Sequence, residues 1–182
     1  MRLFVAVDVE SDEIKTVASN IQKFIRNTGV RATYPKLDDL HITLKFLGDV
    51  DKAFISDIVE RLTNEKLGEI KINIRDVGGF PNLSRPRVIF LDVYDDDGKL
   101  KVLHEFVESR LESMFPRDSR PFKPHITVAR IKQFYKLDKQ AINLIKSMVD
   151  NVWVEITSFK LKESILTNSG PIYKDVAVFN LV

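Results

Sequence analysis

Leu40-His41-Ile42-Thr43-Leu44-Lys45-Phe46-Leu47-Gly48 and, later, Pro124-His125-Ile126-Thr127-Val128-Ala129-Arg130 carry the same word, His-Ile-Thr-aliphatic. The chain has three histidines, and two of them open these words. Side chains in a β-strand alternate between faces, so His and Thr at i and i+2 share one face while the aliphatic residues fill the other. Each copy therefore presents an imidazole beside a hydroxyl. An imidazole titrates near neutrality and a Thr hydroxyl can donate to an oxyanion. Two such pairs facing each other make a symmetric acid/base site.

The rest of the composition sets the frame. A chain of 182 residues suffices for one domain, or for two small lobes sharing a core. With 44% hydrophobic and 30% charged residues it is expected to be an ordered globular protein. The net charge of +2 does not announce a duplex-binding surface. The absence of cysteine excludes a thiol nucleophile, a disulfide framework and a cysteine-based zinc site. The apolar run Leu3 to Val7 is too short for the apolar region of a signal peptide and soon meets Asp8 and Glu10. It reads as a core strand of a cytoplasmic protein.

Outward from the two words, the periodicity predicts a buried strand over Arg2 to Val9 and a helix from the Ser11 cap to Gly29. A short strand follows at Val30 to Tyr34, and a turn over Pro35 to Asp39 delivers the first His strand. A second helix is expected from about Asp51 to Thr63, and a strand over Glu69 to Val77 with Ile70, Ile72 and Ile74 on one face. Gly78-Gly79-Phe80-Pro81 should break that strand. Val88 to Tyr94 reads as a strand and Asp95 to Gly98 as a turn and cap. Leu100 to Phe115 and Lys136 to Val149 read as helices. Two long β-like runs, Val152 to Leu166 and Ile172 to Leu181, close the chain around a Gly170-Pro171 turn. The order strand, helix, His strand, helix, strand occurs once before about residue 80 and is loosely echoed after it. The two histidines lie about half the chain apart, as in a degenerate internal duplication. The expected fold is α+β and bilobal. Two pseudo-symmetric lobes each carry an antiparallel sheet with helices outside, and a central cleft lies between the sheets. Residues 1–182 form one domain, and each lobe contributes one word, His41 to Leu44 and His125 to Val128.

Two His-x-Thr-aliphatic words, the first in LHITLKFLG and the second in RPFKPHITVAR, together with the opening MRLFVAVDV, resemble the 2H phosphoesterase superfamily. Within it, the chain is similar to the archaeal and bacterial RNA 2′,3′-cyclic phosphodiesterases once named 2′-5′ RNA ligases. The likeness extends through Arg85-Pro86-Arg87-Val88 and the late segment Ser164 to Tyr173. It implies a hydrolase that opens terminal 2′,3′-cyclic phosphates of RNA, tRNA fragments being possible substrates, to 2′-phosphomonoesters. The resemblance assigns His41 as proton donor and His125 as proton acceptor, with Thr43 and Thr127 on the non-bridging phosphoryl oxygens. No metal and no nucleotide cofactor are required by that scheme, and neither a membrane nor an obligate protein partner is implied. The reaction needs an acid and a base on opposite sides of phosphorus, which one imidazole from each lobe supplies.

Other residues are candidates for substrate binding. Arg130 stands an odd number of residues from Thr127, so a bulge or strand end is needed to bring it to the His face. Phe46 is read on the His face, lining the cleft or packing the core. Arg85 and Arg87 flank a proline at a strand start, where they could reach RNA phosphate. Phe80 and Tyr173 could stack a terminal base. His104 reads as a surface or packing residue of its helix. Joining of RNA ends through a 2′-5′ linkage without ATP, by the reverse proton transfers, is one alternative function. A non-catalytic RNA-end binding module is another.

Overall fold

The computed structural model describes residues 1–63 and 66–182. Its order is β1 (Arg2–Asp8), α1 (Asp12–Asn27), β2 (Ala32–Thr33), β3 (His41–Asp49), α2 (Ile55–Leu62), β4 (Ile70–Phe80), β5 (Val88–Tyr94), α3 (Lys99–Leu111), β6 (His125–Ile131), α4 (Lys139–Ser147), β7 (Val152–Ile156), β8 (Ser158–Thr167) and β9 (Gly170–Asn180). The strands form two antiparallel sheets, β3-β1-β8-β9 and β2-β6-β5-β4-β7. This is the expected α+β arrangement, with one His word in each sheet. No described helix is long and apolar enough to cross a membrane.

Local signals account for most element boundaries. Ser11 Oγ accepts from the Ile14 N–H at 3.3 Å and starts α1, while Asp95 accepts from Leu100 and Lys101 N–H groups at 3.0 and 2.8 Å and starts α3. The helix expected from Lys136 begins only at Lys139, because Asp138 is its cap and accepts from the Ala141 N–H at 2.8 Å. The helix expected from Asp51 opens instead as a 3₁₀ turn, Lys52–Phe54, before α2.

Three expectations are corrected. The sheets are not the two halves of the chain: β4, which precedes residue 80, belongs to the second sheet, and β8 and β9 return to complete the first. The run Val152 to Leu166 is two strands, since at Thr157 the chain passes from the second sheet into the first. Finally, β4 continues through Gly78 and Gly79. A Cβ at Gly78 would stand 2.7 Å from ring atoms of Phe90, which lies opposite it on β5. Glycine here makes room for an aromatic ring and does not break the strand.

A single buried apolar cluster joins the two sheets, running from Leu3, Val5 and Val7 of β1 to Ile126 and Val128 of β6. Helix α1 follows a strand of the first sheet yet lies against β6 of the second, and α3 lies against both β3 and β4. One ion pair stands inside this packing. Lys45 of β3 is 6% exposed and Glu108 of α3 3%. Lys45 Nζ donates to both carboxylate oxygens of Glu108, at 3.0 and 3.1 Å, and to the Pro116 carbonyl at 2.9 Å. His104 lies beside the pair, 3.8 Å from Glu108 and stacked on Phe122 at 4.0 Å, which makes it a packing residue. The group fastens the segment before β6 onto β3.

Removing one member of this pair strands a charge in the interior, which costs about 3–5 kcal/mol. Lys45→Met should lower the urea unfolding free energy by that amount, and the double variant Lys45→Met/Glu108→Leu should recover most of it. Equal stabilities for the single variant and the parent would contradict the pair's structural role.

Candidate active site

The two words are built alike down to their irregularities. In β3, Thr43 faces Ala6 and Lys45 faces Val5, so Leu44 is left out of the register. In β6, Thr127 faces Phe90 and Ala129 faces Ile89, so Val128 is left out. Each strand thus has a β-bulge one residue past its Thr. Strict alternation from His41 would put Lys45 on the His face and residue 46 on the other; the bulge reverses both. Lys45 turns inward to Glu108, and Phe46 emerges 75% exposed with its ring 6.3 Å from Phe4. In β6 the same device turns Ala129 inward and Arg130 out onto the His face, as the odd spacing required. Val128, bypassed by the ladder, has its carbonyl satisfied by the buried Gln22 of α1 at 3.1 Å.

The histidines are held identically. His41 Nδ1 lies 2.7 Å from the Asp39 carbonyl oxygen, and His125 Nδ1 lies 2.7 Å from that of Lys123. A carbonyl can only accept, so Nδ1 carries the proton in both rings and Nε2 is left for chemistry. The rings are wedged between aromatics. His41 has Phe4 at 5.4 Å and Tyr173 at 5.5 Å; His125 has Phe80 and Phe90, both at 5.1 Å. Strands β3 and β6 approach within 8 Å, Cα to Cα, at the boundary between the sheets. Thr43 and Thr127 are half-buried, and neither hydroxyl bonds another described residue.

Each histidine faces an aspartate on the neighbouring strand, His41 opposite Asp8 and His125 opposite Asp92. Asp8 is engaged by Lys160 at 2.7 Å and Lys162 at 2.6 Å, and both lysines also reach Asp175, at 2.9 and 3.2 Å. Asp92 forms no ion pair among the described residues and lies opposite Asp76 in the register; burial first, together with the Asp76 charge, pushes its carboxyl above the ordinary range against the opposing Lys123 charge. Burial pushes both imidazoles below the ordinary value of 6.5, helped by Lys162 at His41 and by Arg130 and Lys123 at His125. Burial raises the Tyr173 hydroxyl, keeping it a donor at neutral pH. Its ring stands edge-on to His41, 5.5 Å between centres. Arg87 is exposed, just before β5; by alternation it stands on the face opposite Phe90 and Asp92, away from the rings around His125. No three described His, Asp or Glu side chains gather so as to hold a metal ion.

Several participants were not visible in the sequence. Phe4, Phe90, Asp8 and Asp92 enter through strand register, which a single sequence does not display. Lys123 and Asp39 had a signal, their position two residues before each histidine, although only the folded backbone shows what that position does.

Because all three histidines are depressed, the unfolded chain takes up protons near pH 6.5 that the folded chain refuses. Stability from this source is complete above about pH 6.5 and is lost as the pH falls below it. The urea midpoint should therefore drop between pH 7 and pH 5, and drop less in His41→Asn/His125→Asn. An equal drop in the double variant would contradict the burial of these rings.

The chain is similar to several known proteins. The family model described as LigT like Phosphoesterase matches residues 7–90 and 93–173. An RNA 2′,3′-cyclic phosphodiesterase of Archaeoglobus fulgidus is 37% identical over 181 residues, covering 98% of this chain and 99% of the relative. One of Thermotoga maritima is 34% identical, covering 96% and 92%. The crystal structure of TT0787 of Thermus thermophilus superposes with a TM-score of 0.79 at 28% identity over 100% of this chain and 98% of that one. Escherichia coli LigT complexed with 3′-AMP shares the fold, with a TM-score of 0.77 at 21% identity over 99% and 97%. The chain belongs to the LigT-like phosphoesterases of the 2H phosphoesterase superfamily.

Proposed function

We propose that this protein hydrolyses terminal 2′,3′-cyclic phosphates of RNA to 2′-phosphomonoesters, with His41 as general acid and His125 as general base. The observation that carries the reading is the pair of imidazoles from two sheets, each tethered through Nδ1 and flanked by an uncommitted Thr hydroxyl. Relatives named for this activity along nearly the whole chain support it.

The direction of the steps is the one the family resemblance implies. In this reading His125 Nε2 takes a proton from a water whose oxygen attacks phosphorus. The bond from phosphorus to the ribose 3′ oxygen breaks, and His41 Nε2–H gives that oxygen its proton. The phosphate stays on the 2′ oxygen, and exchange with solvent restores both rings. Thr43 and Thr127 donate to the non-bridging oxygens as charge builds on them. Arg130 adds a cation on the His125 side and Tyr173 a hydroxyl donor on the other. Phe46, a large apolar ring left exposed beside Phe4, is placed to stack the terminal base. Arg87, on the face of β5 away from these rings, takes no part in these steps, and tRNA fragments fit the substrate class.

The test is turnover of an oligonucleotide ending in 2′,3′-cyclic phosphate. His41→Ala and His125→Ala should each lower kcat by about 10²- to 10⁴-fold. Phe46→Ala should act mainly on KM, raising it by about 5- to 150-fold, the value of one base stack. Retained turnover in both histidine variants would overturn the assignment, and a wild-type protein that binds such ends without opening them would be a recognition module instead.

A further inference from the structure

The two histidines share their tether, their threonine, their bulge and their facing aspartate, so the backbone gives neither a reason to be the acid. The charges around them do. The residues whose carbonyls hold the rings are of opposite sign, Asp39 behind His41 and Lys123 behind His125. We propose that this inversion polarises the pair: Asp39 favours the imidazolium at His41, and Lys123 with Arg130 favours the neutral ring at His125, which fixes the direction of proton transfer.

The neighbourhoods are distinct when every facing group is counted. Around His41 stand Asp8 of β1, Lys162 of β8, Asp39 of the preceding turn and the uncharged Tyr173 of β9. Asp8 and Lys162 belong, with Lys160 and Asp175, to a closed group of two lysines and two aspartates whose charges cancel. Asp39 forms no ion pair with another described residue, so its charge is the one left over. Around His125 stand Asp92 of β5, Lys123 and Arg130. Neither cation has an acidic partner within ion-pair distance among the described residues, and their sum outweighs the single carboxyl of Asp92. The Lys123 ammonium is not adrift in solvent. It lies 5.5 Å from the centre of the Phe80 ring and 5.3 Å from that of Phe90, the two rings that also flank His125. Cation–π contact of this kind holds a lysine in place without cancelling its charge. Arg130 owes its position to the bulge at Val128, and Phe46 at the matching place in β3 is neutral. Bulge and inversion together make a site of near two-fold geometry electrically one-sided.

Asp39 and Lys123 are positioning residues here, acting through the rings they carry, and the inference rests on the acid/base reading above. Its test does not use turnover. Proton–carbon NMR of the His Cε1–H groups against pH reads each ring in the free protein, with His104→Asn identifying the third signal. His41 should titrate at higher pH than His125. Lys123→Met keeps the backbone carbonyl and removes only the charge; it should raise the His125 midpoint by about 0.3–1 pH unit, leave His41 in place, and be reversed in Lys123→Arg. Asp39→Asn should lower the His41 midpoint by a similar amount. A His125 midpoint at or above that of His41 in the wild type, or one unmoved by Lys123→Met, would overturn the proposal. A protein that shows the predicted order but opens no cyclic phosphate would keep the polarity and lose the proposed reaction.

Discussion

Two hydrogen bonds of 2.7 Å, from Nδ1 of each histidine to the carbonyl two residues earlier in its own chain, are the constraint on which the site depends. Each settles the tautomer, aims Nε2 away from the strand and holds the ring against its aromatic neighbours. Because the acceptor is backbone, the ring is as rigid as the strand that carries it, and everything else in the fold serves to bring two such strands face to face. That is why the second sheet is stitched to the first by elements that cross over: α1 against β6, β7 running into β8, and the Lys45–Glu108 pair that ties the segment before β6 to β3.

The paired bulges decide which third side chain joins the His and the Thr on one face of each strand. Without them His41 and Thr43 would share their face with Lys45, and His125 and Thr127 with Ala129. With them the third residue is Phe46 on one side and Arg130 on the other. Hydrophobic patterning tolerates the irregularity because the bypassed residues, Leu44 and Val128, remain buried, and because Gln22 supplies the bond that the Val128 carbonyl requires. A symmetric backbone thus puts an aromatic ring on the His face of β3 and a cation on that of β6.

What could be read in advance, and what could not, follows from the range of the interactions. The helix of residues 12–27 and the two His strands were legible because their signals are local, in a cap, a periodicity and a repeated word. Arg130 was legible only as a condition, that a bulge must exist. Phe46 was read onto the His face by alternation, but alternation from His41 points it to the other face and only the bulge brings it back. The division of strands between sheets was hidden, since the return of β8 and β9 to β1 is a matter of pairing across the length of the chain. Gly78 misled for a related reason. The ring of Phe90 that needs its missing side chain comes from the next strand, and nothing in Gly78-Gly79 itself distinguishes a turn from a close approach.

The central claim is that one imidazole from each sheet forms a single acid/base pair. The most direct measurement is the pH dependence of kcat/KM for a cyclic-phosphate oligonucleotide. The account predicts a bell, with one limb set by the group that must be neutral and the other by the group that must be protonated. A rate independent of pH from acid to alkaline conditions would contradict it.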